Sequence, residues 1–109
     1  MEGMNYSELV QTVLERHTEN HLFEDTDKEL IFNFQRNHYI LVHVGWGNKE
    51  RVYGCVVHVN VKDGKIWIQR DLIEEGIANQ LVEFGVTKTD IVLGFRSPYV
   101  QQFTGFSSV

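Results

Sequence analysis

Residues 29–70 alternate between apolar and polar side chains with a period of two, and this constrains the fold more than any other feature of the chain. The pattern predicts four strands, over residues 29–35, 38–46, 51–61 and 65–70. The connections are short, and Asp63-Gly64 is typical of a type I′ hairpin because glycine accepts positive φ. Four strands joined in this way form an antiparallel meander.

The turns also predict the register of the strands. A loop at Asp63-Gly64 places Val61 opposite Ile66, and a loop at residues 47–50 places Trp46 opposite Arg51. Extending this register without interruption gives an almost wholly apolar face, which we expect to be the main core face: Ile31, Ile40, Val42, Val44, Trp46, Tyr53, Cys55, Val57, Val59, Val61, Ile66 and Ile68. The other face is mixed and aromatic: Leu30, Phe32, Phe34, Tyr39, Leu41, His43, Gly54, Val56, His58, Asn60 and Trp67.

Helices flank this sheet. Helical spacing predicts α-helices over residues 5–20, 74–84 and 98–103, and an apolar fifth strand over residues 91–95. The order α-β-β-β-β-α-β-α describes one α+β domain over residues 1–109, with a four-stranded antiparallel meander plus a fifth strand. Because so few helices cannot cover both faces, the second face should meet the C-terminal segment or another subunit, and we expect the chain to form a homo-oligomer.

Composition and charge restrict the class of function. The net charge is −5, and the 42% of apolar residues is ordinary for a globular domain. Strong sequence-independent DNA binding needs clustered basic residues, which an acidic chain does not favour. No apolar run is long enough for a membrane helix, and the first eleven residues do not resemble a signal peptide. We therefore expect a cytoplasmic protein whose single Cys55 packs as a reduced, buried thiol.

Two histidines give the strongest hint of chemistry. The predicted register places His43 and His58 on one face beside Tyr39 and Trp67, where a general base or a small-ligand site is conceivable. No neighbouring residue completes a nucleophile–base pair, so a structural role or a subunit contact is the preferred interpretation.

Metal and phosphate sites have weaker support. His17 and His21 lie four residues apart on the first predicted helix, which suits two zinc ligands, but the spacing indicates no third ligand. Asp71, Glu74 and Glu75 are better explained as negative charge at the start of the second helix. We therefore predict no catalytic residue, no metal ligand and no cofactor.

Several segments together resemble one family. They are HYILVHVGW (38–46), RVYGCVVHV (51–59), KDGKIWIQRD (62–71), GIANQLVEFGV (76–86) and DIVLGF (90–95) followed by Ser97-Pro98. In this order they are similar to the XisI-like family, the fdxN-element excision controlling factors. The resemblance extends from about residue 5 to Phe106 and provides no catalytic residues to carry over.

The resemblance implies a cyanobacterial, non-catalytic accessory factor in site-specific DNA excision, in which a separate recombinase cuts and rejoins the DNA. The implied partners are a XisH-like protein, itself similar to restriction-type nucleases, and the recombinase, with DNA contacted only indirectly or weakly. Two alternatives stay open: a directionality factor that binds DNA directly, and a small enzyme that uses His43 or His58.

Two surfaces are candidates for partner contact. The first consists of Tyr39, His43, His58 and Trp67 on the aromatic sheet face. The second is the acidic first third of the chain, where these carboxylates could occupy a partner's basic DNA channel: Glu15, Glu19, Glu24, Asp25 and Asp27.

Overall fold

The computed structural model describes residues 5–18 and 26–107. Within these ranges the helices are α1 (Tyr6–Arg16), α2 (Ile77–Glu83) and α3 (Pro98–Gln101), with a 3₁₀ turn at Lys88–Asp90. The strands are β1 (Thr26–Asn33), β2 (His38–Gly47), β3 (Glu50–Lys62), β4 (Lys65–Asp71) and β5 (Ile91–Leu93). The predicted order α-β-β-β-β-α-β-α is confirmed.

Side-chain caps determine where the helices begin. The Asn5 side chain accepts a hydrogen bond from the Glu8 amide at the start of α1 (3.1 Å), and Ser97 caps α3 in the same way. The second helix begins at Ile77, three residues later than predicted, because the Asp71 carboxylate organises the preceding loop. Its two oxygens accept hydrogen bonds from the amides of Ile73 (3.0 Å) and Ile77 (2.7 Å).

The sheet has the strand order β1-β2-β3-β4-β5. Strands β1 to β4 form the predicted antiparallel meander, whereas β5 pairs with β4 in parallel after the α2 connection. Both register predictions from the turns are confirmed, since Val61 pairs with Ile66 and Trp46 pairs with Arg51. At the β3–β4 turn, Asp63 and Gly64 both adopt positive φ (54° and 72°), as a type I′ turn requires.

A β-bulge makes the predicted division into faces wrong for β1, β2 and the first part of β3, whereas Val57, Val59, Ile66 and Ile68 are core residues as predicted. Leu41 pairs with Val57 but Val42 pairs with Cys55, so Val56 is an extra residue on β3. An extra residue reverses the face of every following side chain relative to the partner strand. Val57 and Val59 therefore share a face with Tyr39 and Leu41 (predicted to lie opposite them) and not with Ile40 and Tyr53. A second irregularity leaves Gln69 as the extra residue on β4.

The hydrophobic core lies between this sheet face and the helices α1 and α2. Its fully buried members on the strands are Tyr39, Leu41, Val57, Val59, Ile66, Ile68 and Ile91, and those on the helices are Val10, Leu14, Ile77 and Leu81. Three residues predicted to be core are instead exposed, namely Ile31, Trp46 and Tyr53. None of the helices in the described ranges is long and apolar enough to cross a membrane.

The C-terminal segment, as far as Ser107, runs beside β5. The Ser107 amide donates to the Ile91 carbonyl (2.8 Å), and the Gln101 side-chain amide donates to the Leu93 carbonyl (3.2 Å). These contacts occupy hydrogen-bonding groups of β5 that could otherwise pair with a strand of another chain.

Candidate functional site

The sheet surface opposite α1 and α2 is the candidate site, and we call it the open sheet face. Strand alternation and the two bulges place these side chains on it: Ile31, His38, Ile40, Val42, Val44, Trp46, Arg51, Tyr53, Cys55, His58, Asn60, Lys62 and Trp67. Neither α1 nor α2 contributes to it, because their buried residues pack with the core on the other side.

Large apolar side chains are exposed on this face. Ile31 is 53% exposed, Trp46 is 57% exposed and Tyr53 is 72% exposed. The Arg51 guanidinium lies 5.8 Å from the centre of the Trp46 ring, a cation–π arrangement at the β2–β3 end of the face. Aromatic residues and arginine are the side chains that protein interfaces favour, so this end of the face is suited to bind another protein.

The two histidines singled out in the sequence do not lie together. His43, which pairs with Gly54, lies on the helix-covered side of β2, whereas His58 lies on the open sheet face. The prediction that they share a face is wrong because the extra residue Val56 lies between their pairing positions. His58 instead contacts His38, with 3.2 Å between His58 Nε2 and His38 Nδ1. Partial burial and the proximity of His38 lower the pKa of His58.

Tyr39 and Trp67 also lie on opposite sides of the sheet. Tyr39 is fully buried in the core, where its hydroxyl donates to Asn37 Oδ1 (3.2 Å), so its predicted place on an interaction surface is wrong. Trp67 is half-buried on the open sheet face, and the Lys62 Nζ lies 4.4 Å from its ring centre. The Trp67 indole Nε1 is buried and has no hydrogen-bond partner within the described ranges.

The acidic candidates are only partly described. Glu15 is exposed on α1 and Asp27 is exposed on β1. Glu19, Glu24 and Asp25 lie outside the described residues, so the proposed acidic surface can be placed only at its two ends.

The structure describes two of the three residues considered as metal ligands or as a thiol, namely His17 and Cys55. His17 Nε2 lies 2.8 Å from the Gln80 side-chain oxygen in a cavity of ≈ 270 Å³ between α1 and α2, and His21 lies outside the described residues. Within the described part of the chain, no three His, Cys, Asp or Glu residues are grouped to hold a metal ion. The Cys55 thiol is half-buried on the open sheet face, not on the core face, and partial burial raises its pKa.

A second exposed aromatic cluster was not predicted as a surface. Tyr99 (72% exposed) and Phe103 (70% exposed) lie edge to face on and after α3, with ring centres 5.4 Å apart. Their spacing of four residues would place them on one face of the helix predicted over residues 98–103, and this was the available signal.

Comparisons with known proteins agree on one family. The chain matches the family model described as XisI protein over residues 1–108. It is similar to the crystal structure of a XisI-like protein from Anabaena variabilis, with 40% identity, a TM-score of 0.87, and coverage of 95% of this chain and 96% of that one. No curated protein sequence gives a significant match.

A second crystal structure carries a functional description. It is the fdxN element excision controlling factor XisI from Anabaena variabilis, which is 30% identical to this chain. The TM-score is 0.77, and the alignment covers 94% of each chain.

Proposed function

Because the chain belongs to the XisI family, we propose that it is a controlling factor for site-specific DNA excision of the fdxN-element type. It acts without catalysing a reaction, through contacts with a XisH-like nuclease-related protein, with the recombinase, or with both. The similar structure named as an excision controlling factor supports the role, and the open sheet face supports the mode of action.

The exposure of Ile31, Trp46 and Tyr53 is the observation that carries this proposal. Large apolar groups exposed together on one sheet surface mark a binding surface more often than a solvated one. Small-molecule sites are concave, and the two cavities that the described ranges form beside α1 are lined by none of these three residues.

The contact made by His58 also favours a binding role. A catalytic His58 would need a nucleophile or a carboxylate beside its ring. The contact that the structure gives to His58 is a second imidazole, and the cavity between α1 and α2 is lined by neither ring.

Co-purification with a tagged XisH-like protein tests the proposal with a matched pair of variants. Tyr53→Asp changes the open sheet face, and Tyr99→Asp changes the α3 cluster at a residue that is equally exposed, at 72%. We expect Tyr53→Asp to abolish capture and Tyr99→Asp to retain it. Capture that survives Tyr53→Asp and also Trp46→Asp would show that the open sheet face is not the binding surface.

The hypothesis that the acidic side chains occupy a partner's basic DNA channel needs a separate experiment. Reversing the charge at Glu15, Glu19, Glu24, Asp25 and Asp27 to lysine should weaken capture, and added salt should weaken capture of the unchanged protein. If the charge-reversed protein is captured as well as the unchanged protein, the acidic side chains do not occupy a DNA channel of the partner. That result does not affect the proposed role of the open sheet face.

A further inference from the structure

Two imidazoles meet on the open sheet face where β2 begins. His38 on β2 pairs with Asn60, and His58 on β3 pairs with Ile40, so the two histidines are diagonal neighbours on adjacent strands. His38 Nδ1 and His58 Nε2 are 3.2 Å apart, with the ring centres 5.3 Å apart and the ring planes at 46°. Both side chains are half-buried, on the sheet face that α1 and α2 leave uncovered.

This separation matches that of two ligands on one metal ion. Imidazole nitrogens bind zinc at ~2.0–2.1 Å, and a tetrahedral angle then places two such nitrogens about 3.3 Å apart. We propose that His38 Nδ1 and His58 Nε2 form a binding site for a borderline divalent metal ion such as Zn²⁺ or Cu²⁺. Imidazole is a preferred ligand of these ions, and two central strands hold both rings in place.

The proton balance of binding is simple. In the metal-free pair one ring nitrogen carries the shared proton and the other accepts it. To bind the ion, the donor ring moves this proton to its other nitrogen, so that both facing nitrogens present lone pairs. Two neutral imidazoles therefore take up the ion without net proton release.

The surroundings predict an open and exchangeable site. No third histidine, cysteine or carboxylate joins the pair within residues 5–18 and 26–107, so the remaining coordination positions belong to water or to an added ligand. Arg70, which pairs with His58, donates from its Nε to the Cys55 carbonyl (2.8 Å). Its positive charge weakens cation binding but does not occupy the imidazole nitrogens.

Titration of the full chain with Zn²⁺ tests the proposal. Binding is measured by calorimetry and by long-range proton–nitrogen NMR of the histidine rings. We expect one Zn²⁺ per chain and nitrogen shifts at both His38 and His58. His38→Gln and His58→Gln should each weaken binding by at least about tenfold, whereas His43→Gln, on the other side of the sheet, should not.

Two results would overturn the assignment. One is wild-type protein whose His38 and His58 ring nitrogens do not shift at millimolar Zn²⁺. The other is unchanged affinity in the double variant, which would place the ion elsewhere, for example at His17 and His21. The NMR measurement uses the unmodified protein, so the test does not depend on the variants folding.

Discussion

The Tyr6 hydroxyl donates a 2.6 Å hydrogen bond to the carboxylate of Asp90, a residue 84 positions later in the chain. This bond joins the first turn of α1 to the 3₁₀ turn that precedes β5. The hydrogen bond, partial burial and the charge of Asp90 together raise the pKa of Tyr6 to about 12. The bond thus connects the N-terminal helix to the segment that leads into β5.

Removing this hydroxyl should destabilise the protein modestly. We expect Tyr6→Phe to lower the free energy of unfolding at pH 7 by about 1 kcal/mol, because the bond is only partly shielded from water. Urea denaturation measures the change. Tyr53→Phe, at a tyrosine that is 72% exposed, is the control and should have no measurable effect.

The same pair predicts a pH dependence. A raised pKa means that the folded state holds the phenolic proton more tightly than the unfolded state, whose pKa is near 10.0. The stabilisation is therefore complete below pH 10 and is lost as the pH rises towards 12. The difference in unfolding free energy between wild type and Tyr6→Phe should shrink over this interval. If the difference in unfolding free energy stays constant between pH 10 and 12, the raised pKa of Tyr6 is not caused by its contact with Asp90.

Alanine substitutions on β1 and β2 test which sheet face is the core. Leu41 is fully buried, so Leu41→Ala should cost about 2–5 kcal/mol. Ile31 is 53% exposed, and Ile31→Ala should cost less than about 1 kcal/mol. A sheet without the bulge predicts the larger loss of unfolding free energy for Ile31→Ala. Chemical denaturation of the two variants therefore decides between the bulged and the unbulged sheet.

The Asp71 carboxylate should contribute to stability through the loop before α2. Asp71→Ala leaves the amides of Ile73 and Ile77 without their acceptor, and we expect a loss of about 1–2 kcal/mol. Glu74→Ala removes an exposed carboxylate of the same loop and is the matched control. Equal losses in the two variants would show that general negative charge near the helix start, not the specific bonds, stabilises this segment.

Gly94 should not tolerate a side chain. A Cβ at this position would lie 2.7 Å from the Gln69 Oε1 and 3.2 Å from the Ile68 carbonyl oxygen. We expect Gly94→Ala to cost about 1–3 kcal/mol, and Gln69→Ala to recover part of that loss in the double variant. Gly54→Ala, where a Cβ meets nothing within 4 Å, is the control. A Gly94→Ala variant as stable as the control would contradict the close approach.

Local chemistry made most of the fold predictable. The Asp63-Gly64 turn and the two-residue alternation act over a few neighbouring positions, so they can be recognised in a single sequence. The family resemblance, which the family match confirms, came from several short segments that follow one another in a specific order along the chain. Together these predicted the elements, their order and the strand pairing beside each turn.

Local chemistry could not predict which side chains lie on which face of the sheet. Whether Val56 continues the alternation or bulges depends on how α1 and α2 pack against Tyr39 and Leu41, and this is decided by the lowest free energy of the whole core. One extra residue placed Tyr39 and Leu41 on the core face beside Val57 and Val59, left Tyr53 exposed and separated His43 from His58. The sequence by itself thus determined the secondary structure and its order, whereas tertiary packing alone decided which side chains are available to a partner, because burial depends on contacts between distant segments.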